Sequence, residues 1–239
     1  MHINLATLND LRKMMRVDIW SDVVCPFCYI GKKRLELAAQ QAGIVLEIHW
    51  HSFQLDPEAA HSPQVLSNVE RLAQKYGRSI SEIEEMQVNI AGMAQDVGIQ
   101  FNWEKIISSN TFDAHRLIHF AQSKGLGNDI QEAMFYSIMT EGLAIDSRET
   151  LEDVAARVGL NPVEVDDVLD SDQYADFVKF DQDVARDQLK VTGVPFFVFK
   201  QRVALAGAQP IEVFLEVLEK AQALEDPEQD ADAAEEVKD

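Results

Sequence analysis

The sequence predicts an α/β protein in which a long helical segment interrupts a small sheet. Three observations predict this fold class: a strand–helix–strand order at the start, a helical middle, and a return to two strands and a helix at the end. Each element is inferred from the spacing of apolar residues, which is two in a strand and about 3.6 in a helix. A chain of 239 residues accommodates a small domain that carries an inserted second one.

The first third gives the strand–helix–strand order. Residues 17–20 alternate apolar and polar side chains, and the strand pattern begins at Arg16. Residues 29–42 have helical spacing and end at Gly43, a residue type that favours helix C-termini. Residues 44–53 are rich in β-branched and aromatic residues and predict the second strand.

The middle of the chain is almost wholly helical. Pro57 and Pro63 break the pattern after the second strand, and Asn161-Pro162 is an N-cap followed by proline at the first helical position. The predicted helices cover residues 65–76, 81–97, 114–124, 128–139, 148–158 and 163–169.

The last third returns to sheet. Residues 194–199 form an apolar strand, residues 200–202 a tight turn, residues 203–206 a partner strand, and residues 211–224 an amphipathic helix. The order βαβ…ββα with a helical insertion is that of a thioredoxin-like core. The predicted domains are therefore 16–63 with 185–224 for the core and 64–184 for the insertion. Residues 1–15 form an N-terminal extension, and residues 225–239 form an acidic, disordered tail.

The negative net charge disfavours nucleic acids and anionic membranes as partners. The formal net charge of -20 disfavours nucleic acid, which needs a basic face, and disfavours anionic membrane surfaces. No stretch is apolar enough to span a membrane, and the first residues lack the layout of a signal peptide. We therefore expect a cytoplasmic protein in a reducing compartment.

The chain contains only two cysteines, Cys25 and Cys28, and they are three residues apart. A disulfide-stabilised secreted domain needs more, and a zinc site needs two further ligands. His49 and His51 are the nearby candidates for such ligands, but we predict no metal site. A Cys-x-x-Cys pair near a βαβ pattern instead indicates a redox dithiol.

The position of the pair assigns roles to the two thiols. Cys25 lies at the start of a helix, and Pro26 follows where its missing N–H costs nothing. The unpaired N–H groups and partial positive charge of a helix N-terminus stabilise a thiolate, so Cys25 is the expected nucleophile. Cys28 lies one turn later and is the expected resolving thiol.

Four segments carry a family resemblance. Residues 21–31 (Ser-Asp-Val-Val-Cys-Pro-Phe-Cys-Tyr-Ile-Gly) resemble the active-site segment of the DsbA-like thioredoxin family, in particular its FrnE-type cytoplasmic branch. Residues 110–117, 193–199 and 206–209 are similar to further segments of that branch, so the resemblance spans nearly the whole chain. One departure is Phe27, where the branch often has Trp, and this leaves the redox potential open.

The resemblance implies further site residues. It implies that Pro195 is the family's cis-proline, which would place the Val194 backbone beside Cys25 for pairing with a substrate peptide. From the residues alone, Pro195 could equally be a trans proline at a strand entry. Pro26, Phe27 and Asn110 are the other expected substrate-binding residues, although Asn110 could serve only as a helix cap.

Two functions follow as expectations. The first is thiol–disulfide exchange with protein thiols and disulfides, in the reductase or isomerase direction, with no cofactor unless glutathione supplies electrons. The second is glutathione-dependent isomerisation or transfer, as in the kappa-class glutathione transferases and hydroxychromene carboxylate isomerases. Those enzymes typically carry Ser at the position of Cys25 and lack the second cysteine. The oligomeric state stays open.

Overall fold

A four-stranded mixed sheet forms the centre of the molecule. The computed structural model describes residues 14–59 and 66–224, so the predicted tail and residues 1–13 of the predicted extension lie outside the described residues. The strands are β1 (Met14–Ser21), β2 (Val45–Ser52), β3 (Phe196–Phe199) and β4 (Val203–Ala206). Their order in the sheet is β2-β1-β3-β4; β1 and β2 are parallel, and the β1–β3 and β3–β4 pairs are antiparallel. The predicted α/β class is confirmed.

Helices surround this sheet, and most of them lie in the middle of the chain. The described residues contain α1 (Pro26–Ala42), α2 (Asn68–Tyr76), α3 (Ile80–Gln95), α4 (Phe112–Ser123), α5 (Gly127–Tyr136), α6 (Arg148–Arg157), α7 (Pro162–Leu169), α8 (Ala175–Asp183) and α9 (Ile211–Gln222). Single π-helical turns follow α5 at Ser137–Glu141 and α8 at Val184–Gln188.

The first strand begins earlier than its sequence pattern. β1 starts at Met14, two residues before the predicted Arg16, so the last two residues of the predicted extension belong to the sheet. Met15 is buried and pairs with Leu46 in the parallel register. The sequence did not predict this start, because the pair Met14-Met15 carries no distinctive strand signal.

The two faces of the sheet are covered by different layers. Phe197 on β3 packs edge-on against Phe214 of α9 at 5.1 Å between ring centroids, and α1 lies beside α9. Trp20 points to the opposite face, where it forms a smaller apolar cluster with Phe53 and Val191. Strand alternation separates these layers, because successive side chains point to opposite faces.

A buried polar network joins the sheet to the helical insertion. His51 on β2 lies between two carboxylates, with Nε2 3.0 Å from Asp18 Oδ1 and Nδ1 2.8 Å from Asp181 Oδ1. The other oxygen of Asp181 lies 3.1 Å from His119 Nε2 on α4. The Trp20 ring stacks on His51, and its Nε1 donates a hydrogen bond to the Asp181 carbonyl. Strands and helices distant in sequence therefore share one set of hydrogen bonds.

Candidate active site

The N-terminus of α1 presents the first cysteine. β1 ends at Ser21, and a turn closed by the Cys25 N–H on the Asp22 carbonyl (3.0 Å) leads into the helix. Cys25 is the N-cap residue in extended conformation, and Pro26 occupies the first helical turn. The Cys25 carbonyl accepts the Cys28 N–H at 3.0 Å, which starts the helical hydrogen bonding. The predicted position of Cys25 at a helix start is therefore confirmed.

The two thiols are free and lie in different environments. Both belong to the hydrophobic core, with Cys25 5% and Cys28 2% exposed, but of the two only Cys25 also lines the cavity beside the helix start. Burial raises the pKa of the Cys28 thiol well above its usual range, and the neighbouring Cys25 sulfur raises it further. Ser21 and the Asp22 backbone oppose this rise through hydrogen bonds to the Cys28 sulfur. Negative charge is thus disfavoured at Cys28 compared with a free cysteine.

A loop from the second half of the chain meets Cys25. The Val194–Pro195 peptide bond is cis, as the resemblance implied. The Cys25 Sγ lies 3.6 Å from the Val194 carbonyl oxygen, so the thiol is within hydrogen-bonding distance of that carbonyl. Two parts of the chain 169 residues apart therefore form one site.

Gly31 allows α1 to lie close to that loop. A Cβ atom at Gly31 would be 3.0 Å from Pro195 Cγ and 3.1 Å from Phe197 Cζ, closer than side chains normally pack. The absence of a side chain at Gly31 therefore lets the first turns of α1 rest on Pro195. Gly31 is part of the segment that carries the family resemblance, but its position in the sequence does not indicate this contact with Pro195.

The other expected substrate-binding residues have different positions. Pro26, Phe27 and Val194 line the same cavity as Cys25, and Phe27 is 38% exposed. Asn110 is buried behind the cavity wall. Its amide donates to the carbonyls of Pro57 (3.2 Å) and Ala59 (2.9 Å).

The remaining Asn110 oxygen accepts the Phe112 N–H at 2.9 Å, at the start of α4. These bonds hold the loop that leads into the helix. The structure thus brings Cys25, Pro26, Phe27 and Val194 together and keeps the Asn110 side chain out of the cavity.

Sequence reasoning missed a buried pair next to the dithiol. Asp22 accepts the Leu55 N–H at 2.8 Å through one carboxylate oxygen, and its other oxygen lies 3.4 Å from His115 Nε2. Both side chains are almost fully buried. Nothing in the spacing of Asp22 and His115 along the chain indicates that they meet.

Residues 14–59 and 66–224 contain no group of three or more His, Cys, Asp or Glu side chains placed to hold a metal ion. Within the same ranges no helix has the length and apolar character needed to cross a bilayer.

Comparison with known proteins gives the family. The model of the DSBA-like thioredoxin domain matches residues 16–219, which is most of the chain. This chain belongs to the DSBA-like thioredoxin domain family. As a member of that family it carries the expected thioredoxin-like core with a helical insertion.

Individual relatives agree with this membership. A crystal structure of a probable DsbA oxidoreductase from Streptomyces coelicolor is 35% identical, superimposes with a TM-score of 0.82, and covers 89% of this chain and 92% of its own. YwbO, an uncharacterized protein from Bacillus subtilis (strain 168), is 28% identical over 201 residues, which are 84% of this chain and 94% of that protein.

Two more distant structures share the fold. The cytosolic disulfide reductase DsbM from Pseudomonas aeruginosa, solved with GSH, is 17% identical with a TM-score of 0.61 and covers 87% of this chain and all of its own (100%). A 2-hydroxychromene-2-carboxylate isomerase is 21% identical with a TM-score of 0.62, covering 92% of this chain and 99% of its own. At these identities the likeness concerns the fold of the DSBA-like domain alone.

Proposed function

We propose that this DSBA-like protein exchanges disulfides with protein substrates through the Cys25–Cys28 dithiol. The observation that carries the proposal is the asymmetry of the pair. Cys25 caps a helix and lines a cavity, while Cys28 is buried one turn behind it. An exchange catalyst needs one accessible nucleophile and one shielded thiol that acts second.

The exchange proceeds in two substitutions at sulfur. The Cys25 thiolate attacks a substrate disulfide, the substrate S–S bond breaks, and one substrate sulfur leaves while a Cys25–substrate disulfide forms. Cys28 then gives up its proton and attacks Cys25 Sγ, which releases the second substrate sulfur and leaves a Cys25–Cys28 disulfide. The same steps in reverse oxidise a substrate dithiol.

Substrate backbone has a docking place beside the reacting sulfur. The Val194 carbonyl lies 3.6 Å from Cys25 Sγ, so an extended peptide whose N–H pairs with that carbonyl would lie beside the reacting sulfur. Exposed Phe27 offers an apolar contact on the other side of the thiol. Main-chain pairing at Val194 makes binding tolerant of substrate sequence, as expected for an enzyme that acts on many proteins.

The direction of exchange is part of the proposal. A reductase or isomerase needs the dithiol form to be restored, for which glutathione is the candidate electron donor. The fold neighbour DsbM is itself named a cytosolic disulfide reductase and was solved with GSH. We propose by analogy that this protein is also cytoplasmic, that it acts in the reducing direction, and that it belongs to the FrnE-type branch.

The alternative function is a glutathione-dependent isomerase or transferase. The fold is shared with 2-hydroxychromene-2-carboxylate isomerase, but that chemistry requires one activated thiolate, supplied by glutathione, and no second enzyme sulfur. The presence of Cys28 one helical turn after Cys25 supplies that second sulfur and favours exchange. The variant Cys25→Ser, Cys28→Ala separates the two functions: we expect no insulin reduction and no hydroxychromene isomerisation. Robust isomerisation by this variant would establish the alternative.

The decisive experiment compares the two single-cysteine variants. Cys28→Ala should accumulate mixed disulfides with proteins, because Cys25 still attacks but nothing resolves the product, while Cys25→Ala should trap none. The readouts are a non-reducing gel of purified enzyme with scrambled ribonuclease, and insulin reduction by the wild type with glutathione. Equal trapping by both variants would show that the assigned roles of nucleophile and resolving thiol are wrong.

A further inference from the structure

The cavity beside Cys25 has the size of a small-molecule site. Its volume is about 270 Å³, close to the lower end of the range for pockets that enclose organic ligands. The thioredoxin-like core forms one side of it, with Cys25, Pro26 and Phe27 beside Val194, and the helical insertion forms the facing side. The nucleophile therefore faces a partly open cavity that extends from the Val194 loop to the helical insertion.

The walls contributed by the insertion are largely apolar. Leu72 on α2, Met86 and Ile90 on α3, and Phe101 and Ile106 in the segment before α4 line the cavity. Burial of apolar ligand surface contributes roughly 25 cal/mol per Å², so such walls favour a ligand with an aromatic or branched aliphatic body.

Buried polar atoms on these walls lack partners. Gln87 is 4% exposed, lines the cavity, and its Oε1 has no hydrogen-bond partner within the described part of the chain. Arg71 also lines the cavity, and its Nε is likewise buried without a hydrogen-bond partner within the described part of the chain. The two outer nitrogens of Arg71 contact Asp56 at 3.5 Å and Asn68 at 3.4 Å. Buried polar groups are normally paired, so unpaired ones on a cavity wall indicate a polar ligand atom.

The charge at this wall favours an anion. Lys75 follows Arg71 by one helical turn, lines the cavity, and makes no ion pair or hydrogen bond with residues 14–59 or 66–224. Asp56 contacts one outer nitrogen of the Arg71 guanidinium. The Nε of Arg71 and the ammonium of Lys75 therefore remain available to bind a ligand anion. Arg and Lys at such positions bind carboxylates through charge-assisted hydrogen bonds. Asp22 and Asp56 also line the cavity, so the formal charges of its lining balance, and Lys75 is the basic side chain that pairs with no carboxylate of residues 14–59 or 66–224.

We propose that Cys25 also exchanges with small organic disulfides that carry an apolar body and a carboxylate, and that the cavity binds the body while Arg71 and Lys75 bind the carboxylate. The inference rests on the proposed function, because it uses the same dithiol. It adds a substrate class that a peptide docked at Val194 does not require.

The chemistry balances as an ordinary disulfide reduction. The Cys25 thiolate attacks one sulfur of R–S–S–R, an R–S⁻ leaves, and Cys25–S–S–R forms. Cys28 attacks Cys25 Sγ, the second R–S⁻ leaves, and the Cys28 proton is carried off by a released thiolate. The enzyme is oxidised by two electrons and the disulfide is reduced to two thiols; dithiothreitol reduces the enzyme beforehand and is removed before the probe is added.

The test uses three disulfides of graded chemistry. The probes are 5,5′-dithiobis(2-nitrobenzoic acid), which is aromatic with a carboxylate, 4,4′-dithiodipyridine, which is aromatic and neutral, and hydroxyethyl disulfide, which is small and polar. Stopped-flow reaction with reduced enzyme should saturate with concentration for the carboxylate probe, because binding precedes exchange. A strictly linear dependence for that probe would overturn the proposal.

Variants assign the binding energy to the cavity. Arg71→Gln and Lys75→Gln should each slow the carboxylate probe by about 5- to 10-fold and leave the neutral aromatic probe within 2-fold. Arg78→Gln removes the same charge from an exposed arginine outside the cavity lining, and it should change all three probes by less than 2-fold. If Arg71→Gln and Arg78→Gln slowed the carboxylate probe equally, the slowing would come from the net charge of the protein and not from a contact in the cavity, and the proposal would be overturned.

Filling the cavity tests the apolar walls. Leu72→Trp and Met86→Trp start from half-buried side chains and should slow both aromatic probes about 10-fold, while hydroxyethyl disulfide reacts at the wild-type rate. A thermal melt checks that each variant folds. Unchanged rates with the aromatic probes in both folded variants would contradict the assignment.

Non-covalent binding separates this inference from the proposed function. Cys25→Ala cannot exchange, yet it should bind 5-(methylthio)-2-nitrobenzoate in equilibrium dialysis, and Arg71→Gln in that background should weaken binding about 5- to 10-fold. Binding without any disulfide exchange by the wild type would refute the proposed function alone. Insulin reduction by the wild type without this binding would refute the cavity proposal alone.

Discussion

At the residue scale, the two sulfurs of one motif are separated by their surroundings. Cys25 caps α1 and lines the cavity, and Cys28 is buried in the core with its thiol pKa raised by burial and by Cys25. Because the thiolate is the reactive form, these environments should give different rates of chemical modification.

We predict that iodoacetamide at pH 7 modifies Cys25 roughly 100-fold faster than Cys28, because the raised pKa of Cys28 lowers its thiolate fraction and Cys25 is the thiol that lines the cavity. Mass spectrometry of the fully reduced protein at early times measures both rates. Cys28→Ala should keep the fast phase, and Cys25→Ala should lose it. Similar rates at the two positions in the wild type would contradict the assignment of the nucleophile.

At the element scale, the site depends on how closely α1 approaches the loop before β3. Gly31 is the contact point, because a Cβ there would be 3.0 Å from Pro195 Cγ. Neither the ring of Pro195 nor the buried ring of Phe197 can move far, since both are packed against the core. The geometry at Cys25 therefore depends on a residue two turns along the helix.

We predict that Gly31→Ala lowers the free energy of unfolding by about 1–3 kcal/mol through overpacking, and slows the reaction of Cys25 with disulfides. Urea denaturation and stopped-flow exchange measure the two effects. Gly92→Ala is the matched control, because Gly92 lies in α3 with nothing within 4 Å of its added Cβ. That variant should gain about 0.5–1 kcal/mol and react normally. Identical stability changes for the two variants would exclude a steric role for Gly31.

Most of the helices and strands could be predicted from the sequence, whereas the cavity could not. Local signals predicted the strands, the turn at residues 200–202 and most helices, because caps and periodicity are encoded within a few residues. α8 was not predicted as a separate helix, because the residue before it, Tyr174, is not a capping residue type. Its φ of 64° lies in the left-handed region, and its side chain makes no cap hydrogen bond. The motif predicted Cys25 and Cys28. The contributions of Arg71 and Gln87 to the cavity depend on how distant helices pack, which local spacing does not encode.

At the scale of the whole molecule, the buried network around His51 ties the sheet to the helical insertion. Burial alone would lower the pKa of His51, but its hydrogen bonds to Asp18 and Asp181 outweigh burial and raise that pKa to about 9. Burial would raise the pKa of Asp18 and Asp181, yet hydrogen bonds from the histidines, and from Arg16 to Asp18, lower the pKa of each to about 2. The network is therefore most favourable with His51 charged and both carboxylates ionised.

The sign of the pH dependence follows from these directions. The His51 pKa is raised on folding, so its stabilisation is complete below the unfolded value of about 6.5 and is lost as pH rises through about 9. The pKa of each carboxylate is lowered, so their stabilisation is complete above the unfolded value of about 3.9 and is lost as pH falls through about 2. The network should therefore contribute most between about pH 4 and 6.5.

We predict that the wild type loses on the order of 2 kcal/mol of unfolding free energy between pH 6.5 and 9 through His51, measured by urea denaturation at half-unit steps. His51→Gln should be less stable than the wild type at pH 6, and the gap should narrow toward pH 9, because the variant has no charge to lose. His49→Gln is the control: His49 lies on the same strand and contacts only the exposed Glu47, so its curve should follow the wild type. Since Cys28 also titrates at high pH, only the difference between these two variants reports on His51. If that difference stayed constant from pH 6 to 9, the charged His51 would not be what holds the insertion to the sheet.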